Sequence, residues 1–157
     1  MTLLIRPLRE VPETGRLLAQ AFKDAWPDFF ADRSAEEIED AMFTEAPELP
    51  AILVATVDGR VAGTVALRAR SVETHEHLSP WVTGLWVEPG LRKLGLGRSL
   101  LSAITEEAKA RGFREIYAVT NTARWLFDKM GWEAIEEIVY HGEEVTLYRK
   151  GHQGAFP

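Results

Sequence analysis

Hydrophobic positions along the chain change period several times, and each change marks the boundary of an element. Leu3-Leu4-Ile5-Arg6-Pro7-Leu8 reads as a first strand. Pro7 assigns it to a sheet edge, because proline has no N–H to give to a ladder. From about Glu13 the spacing turns helical, with Leu17, Leu18, Ala21 and Phe22 on one face. Trp26-Pro27-Asp28-Phe29-Phe30 then reads as an aromatic loop with exposed rings. Ser34 is placed to N-cap a second helix, with Glu36 and Glu37 in the first turn where carboxylates oppose the helix dipole. Two apolar runs, 51–57 and 60–68, flank Asp58-Gly59, the pair that favours a two-residue hairpin turn. Residues 71–78 are polar and read as a loop, and 81–87 return to strand. A long amphipathic helix follows, apolar at Leu96, Leu100, Leu101, Ile104 and Ala108, and it ends near Gly112, a residue suited to the left-handed position after a helix. A short strand (116–119), a short helix (123–129) and a closing hairpin (134–140 with 144–149, turning at His141-Gly142) complete the pattern. The order is β-α-α-β-β-β-α-β-α-β-β, an α/β (α+β) class chain without repeats.

The most specific segment lies between the strand at 81–87 and the long helix: Arg92-Lys93-Leu94-Gly95-Leu96-Gly97. A glycine-rich turn that feeds a helix presents unpaired N–H groups and the positive end of the dipole, a seat for phosphate or pyrophosphate. Gly95 and Gly97 let the backbone approach such an anion closely. The run lacks the G-x-x-x-x-G-K-[ST] of a Walker loop. It also lacks the third glycine of a dinucleotide fingerprint, because Leu100 stands there.

With its flanks, R-x-x-G-x-G resembles the acyl-CoA-binding motif of the GNAT superfamily of N-acetyltransferases. Leu85-Trp86-Val87-x-Pro89 precedes it, and Thr120-Asn121-x-Ala123 and Lys129-x-Gly131-Trp132 follow, in the order of that family's elements. The resemblance covers roughly residues 1–150 and is strongest from 79 to 131. It implies a mixed, mostly antiparallel sheet of six to seven strands flanked by about four helices, as one domain over 1–150, with 151–157 as a tail. It also implies transfer of an acetyl group from acetyl-CoA to a primary amine. Cofactor-binding residues are then Arg92, Lys93, Leu94, Gly95, Leu96, Gly97 and Arg98 at the diphosphate, and Leu85, Trp86 and Val87 along a pantetheine inserted between splayed strands four and five. Asn121 and Phe127 join that set. One strand-four N–H would face the thioester oxygen, an oxyanion contact typically worth ~2.7–4 kcal/mol.

The acceptor sets the remaining chemical problem. An amine of pKa near ~10.4 is only about one part in two thousand neutral at pH 7, so a base must help. Glu73 and His75 lead the candidates on the loop before strand four, with Glu76 and His77 behind them and Glu88 just past that strand. His75-x-His77 offers no third metal ligand, and no metal is expected. Phe127 stands where the pattern A-x-x-x-Y commonly supplies a tyrosine to the departing thiolate. Tyr140 from the late hairpin is the substitute acid, unless the thiolate leaves bare or catalysis has been lost. The second reading is therefore a CoA-binding sensor or regulatory module without turnover.

Charge sharpens the picture of the acceptor. Residues 1–50 hold five basic and eleven acidic side chains, whereas 92–114 holds six basic residues against Glu106 and Glu107. Acidity around Trp26, Phe29 and Phe30 suits a cationic acceptor with apolar bulk, either a small molecule or a protein N-terminus. A net charge of −6 with no sustained basic stripe argues against nucleic acid. No apolar run reaches the ~20 residues of a membrane span, no secretory leader is evident, and cysteine is absent, so a cytoplasmic protein is expected. Ile135, Ile138 and Val139 on the late hairpin are candidates for a homodimer contact.

Overall fold

The structure is a computed structural model that describes residues 2–43 and 49–151. Seven strands form one sheet in the order β1-β2-β3-β4-β5-β7-β6. They are β1 (Leu3–Pro7), β2 (Ala51–Val57), β3 (Arg60–Arg68), β4 (Trp81–Val87), β5 (Glu115–Thr120), β6 (Glu133–Tyr140) and β7 (Glu143–Gly151). The helices are α1 (Gly15–Ala25), α2 (Ala35–Phe43), α3 (Leu96–Ala110) and α4 (Arg124–Lys129). β1, with Pro7 at its end, takes an edge as expected. All neighbouring strands run antiparallel except β4 and β5. Of the tail expected at 151–157, Gly151 closes β7, and 152–157 lie outside the described residues.

Local chemistry accounts for the element ends. Asp58 and Gly59 both adopt positive φ (51° and 83°), the conformation a two-residue β2–β3 turn requires. Ser34 Oγ accepts from Glu37 N–H at 3.0 Å while Glu37 Oε1 accepts from Ser34 N–H at 3.1 Å, a reciprocal cap on α2. The N–H donated by Ser34, with its hydroxyl close by, holds the Glu37 carboxyl below its ordinary range.

The two sheet faces bury different helices. Leu53, Ala55, Val65, Leu67 and Val82 pack against Leu100, Leu101 and Ile104 of α3 and Leu126 and Phe127 of α4. On the opposite face Ile52, Val54, Ala66 and Trp86 meet Leu18, Ala19 and Phe22 of α1 and Ile38 and Met42 of α2. Two expectations are corrected here. Leu17 is 53% exposed, because α1 turns Gly15, Leu18, Ala19 and Phe22 inward, and Gly15 sits so close to α2 that a Cβ would lie 3.1 Å from Phe43. The polar 71–78 segment is not wholly loop: it winds into a 3₁₀ turn, Glu73–His75, and buries Val72 against Trp81, Tyr117 and Leu147.

Candidate active site

The sheet opens in its middle. β4 and β5 share a single registered pair, Trp81 with Tyr117, and part beyond it. On its other edge β4 carries a bulge: Thr64 opposes Trp86 and Ala66 opposes Thr83, so Gly84 and Leu85 together face Val65 alone. Gly84 takes φ +61°, a conformation that side chains disfavour. A lone glycine inside a strand pattern is itself a bulge signal, so this feature was legible in the sequence.

The opening continues into a cleft of about 630 Å³. Gly84, Leu85, Thr83 and Val82 of β4 and Val119 and Thr120 of β5 line it, with Phe127 reaching in from the α3–α4 side. An aromatic wall closes the other side. Phe22 lies 5.6 Å from Trp26 and 6.1 Å from Phe30 between ring centres, and Phe29 packs edge-on against Phe30 (4.9 Å) and His141 (4.6 Å). Tyr140 packs on His141 at 4.4 Å and donates weakly to the Ser71 carbonyl at 3.4 Å. Two separate elements, the α1–α2 loop and the β6–β7 turn, thus meet over the cleft. Among the described residues its charged lining is Asp28, Arg33, Arg68, Arg70 and Glu143, with Glu143 Oε2 accepting from Asn121 Nδ2 at 2.9 Å. Thr83 Oγ1 is buried and, among the described residues, has no hydrogen-bond partner.

Among the sequence-predicted residues, Leu85, Asn121, Phe127 and Tyr140 line this cleft. Glu73 and His75 do not. They sit on the 3₁₀ turn before β4, where His75 Nε2 lies 2.9 Å from Glu136 of β6 and Nδ1 lies 2.8 Å from Thr74 Oγ1. The His75 and His77 rings stack at 5.8 Å. Glu88 is turned to its own backbone, accepting from Gly90 N–H at 2.8 Å. Of the acidic residues near the aromatic loop only Asp28 reaches the cleft, whereas Asp24 accepts from Gln20 within α1. Sequence reasoning missed Arg33, Arg68, Arg70, Thr83, His141 and Glu143, which come together only through the sheet register and the late hairpin.

The glycine turn forms a second centre beyond β4. Gly95 is the residue before α3, with φ +81°, and Lys93 is also left-handed at φ +68°. A Cβ on Gly95 would meet no atom within 4 Å, so its conformation and not crowding demands glycine. Gly97 approaches α4, where a Cβ would lie 3.5 Å from Leu126. Arg92 Nε donates to the Val87 carbonyl at 3.1 Å and ties the turn to the end of β4. The first turn of α3 leaves its N–H groups without helical partners, beside Lys93 and Arg98. Trp86 and Val87 join the two centres, Trp86 buried against α1 and Val87 packed toward α3 and Leu96.

A family model for GNAT acetyltransferases matches residues 16–132, which takes in the glycine turn, the split strands and α4. The chain belongs to the GNAT acetyltransferase family. Solved GNAT structures share its fold at low identity. An aminoglycoside 6′-N-acetyltransferase complexed with coenzyme A superposes with TM-score 0.77 at 18% identity, covering 98% of each chain. The ribosomal-protein-alanine N-acetyltransferase of Brucella melitensis gives 0.77 at 22% identity, over 95% of this chain and 99% of that one. The yncA protein of Salmonella typhimurium, solved with its cofactor acetyl-CoA, gives 0.77 at 18% identity, over 96% and 94%. Among curated proteins none matches the sequence. As a GNAT enzyme the protein is an acyltransferase of the N-acetyltransferase type. No helix among the described residues is long and apolar enough to cross a membrane.

Proposed function

We propose that this GNAT protein moves the acetyl group of acetyl-CoA onto the primary amine of a small molecule held in the cleft. The observation that carries the reading is the opening between β4 and β5, lined by a bulged strand and lying beside a glycine turn that ends in a helix N-terminus. Family membership and relatives solved with CoA or acetyl-CoA support it. In this reading the diphosphate rests on backbone N–H groups between Lys93 and Arg98, with Arg92, Lys93 and Arg98 supplying countercharge. Pantetheine follows Leu85, Trp86 and Val87 into the opening and passes Asn121 and Phe127.

The bulge at Gly84-Leu85 takes β4 out of regular pairing at the point where the thioester would sit, so a free N–H can donate to its oxygen. The acceptor arrives as an ammonium ion, facing Asp28, Glu143 and the rings of Trp26, Phe29 and Phe30. One proton leaves it for a cleft group or water. The neutral nitrogen then attacks the thioester carbon, the C–N bond forms, a second proton leaves the nitrogen for the same group or water, and the oxyanion collapses to the neutral amide as the C–S bond breaks and releases CoA thiolate. Phe127 cannot protonate that thiolate, but a thiol of pKa near ~8.5 is a tolerable leaving group at neutral pH. Tyr140, on the cleft wall, is the candidate acid.

Calorimetric titration with acetyl-CoA and CoA, paired with thiol release on an amine panel, tests the reading. Gly95→Val should weaken acetyl-CoA binding at least about tenfold and leave the fold intact, since the new side chain meets only open space but must adopt positive φ. Binding without thiol release on any amine would favour the sensor module. No binding of either CoA form would end the proposal.

A further inference from the structure

Arginine is the unexpected component of the cleft. Sequence acidity pointed to a cationic acceptor, but among the described residues the lining holds Arg33, Arg68 and Arg70 against Asp28 and Glu143. The arginines come from two directions. Arg33 lies on the loop between α1 and α2, and Arg68 and Arg70 lie at the exit of β3.

Register fixes Arg68 more closely. Ala66 pairs with Thr83 across β3 and β4, so Arg68 lies diagonal to Thr83 on the same sheet face. Diagonal neighbours stand about 7–8 Å apart, within reach of a long side chain. Thr83 Oγ1 is the buried hydroxyl that has no partner among the described residues, and it lies one position before the bulge at Gly84. A buried polar atom left unsatisfied calls for an explanation, and a bound polar group is a direct one. Above this corner stands the aromatic wall of Phe22, Trp26, Phe29 and Phe30.

We infer that the acceptor is a zwitterion: a small amine that also carries a carboxylate and an apolar body, of the α-amino-acid type. Guanidinium groups match carboxylates through paired N–H donors, and Arg68 and Arg70, with Arg33 opposite, supply that recognition. The aromatic wall covers the apolar body, and Asp28 faces the ammonium. Polyamines and aminoglycosides, with several positive charges and no acid, meet three guanidinium groups and are disfavoured. The inference rests on the acetyl-transfer reading only for the fate of the amine, because recognition of the carboxylate can be measured without turnover.

The experiment uses matched pairs on the full chain: phenylalanine, methionine and leucine, each against its amide and its decarboxylated amine, with spermidine as the polycation. Thiol release should show kcat/KM at least tenfold higher for the free acids. Arg70→Gln and Arg33→Gln, at exposed positions, should raise KM for the acids tenfold or more and leave KM for the decarboxylated amines within twofold. Arg68→Gln should do the same, with circular dichroism reporting its fold. Equal or better use of the amides or decarboxylated amines, a preference for spermidine, or variants that weaken both members of a pair alike would overturn the inference. So would an absence of binding by all three acids. If no amine releases thiol, acetyl transfer fails as a reading, and calorimetric affinities of the same pairs for the CoA-saturated protein decide the inference with the same tenfold criterion.

Discussion

Phe127 illustrates how much a single side chain can decide. It is buried, stacked on Tyr148 at 5.3 Å and edge-on to Trp132 at 4.9 Å, yet it also lines the cleft. A hydroxyl added by Phe127→Tyr would give the leaving thiolate a donor. The variant is expected to raise kcat about tenfold or more, within the contribution of a general acid, with KM for acetyl-CoA unchanged. Steady-state kinetics on both proteins checks this. Two tyrosines, Tyr148 stacked on Phe127 and Tyr117 packed on Trp81, serve a different purpose. Burial, reinforced by bonds to Asp128 and Glu115, pushes the Tyr148 and Tyr117 phenols up to about 12 from an ordinary value of 10. The unfolded chain therefore loses these protons first as pH rises. Their stabilisation is complete below pH 10 and declines as pH passes toward 12. Denaturant midpoints measured from pH 8 to about 12 should fall across that window, and less steeply in Tyr148→Phe.

Elements carry the next set of constraints. β3 is pressed against both β4 and α3 at Gly63, where a Cβ would lie 2.6 Å from the Trp86 carbonyl and 2.9 Å from Leu100. Gly63→Ala should cost about 1–3 kcal/mol in urea unfolding, as overpacking does, and should lower kcat by shifting the bulged strand. Strands and helices were legible in the sequence because their periods are local: the strands at 51–57, 60–68 and 81–87 have the predicted bounds. The glycine turn and Phe127 were legible for the same reason, as contiguous motifs. Leu17 was misplaced because the choice between neighbouring helix faces is made by α2 and the sheet and leaves no trace in α1 alone. The arginines of the cleft and His141 were missed because register and hairpin placement bring them together across more than a hundred residues. His75 stands shortly before β4 in sequence but is drawn to β6 by Glu136, and Glu73 shares its 3₁₀ turn.

At the scale of the whole molecule, charge is segregated. Acidic residues gather in the first third of the chain, and Arg92, Lys93 and Arg98 gather at the start of α3. A polyanion approaching that turn is attracted through water, so the Kd for acetyl-CoA should rise several-fold as salt increases from about 0.05 to about 0.5 M, where screening shortens below ~10 Å. Titration at constant pH measures it. The exposed edge at β6 presents Val139, 71% accessible, and Ile135 to solvent, with Arg124 reaching across to Glu137 at 3.7 Å.

The single registered pair between β4 and β5 makes the sheet two half-sheets, β1–β4 and β5–β7, joined at a seam. A molecule lodged in that seam replaces the missing ladder. The co-substrate then becomes part of the architecture for as long as it stays. Occupancy at a hundredfold excess over Kd adds about 2.7 kcal/mol to unfolding, so the melting temperature should climb with acetyl-CoA concentration. Within residues 82–87 and 118–120, the amide hydrogens that face the seam, and not those laddered to β3 or β7, should be the ones that slow most when it binds.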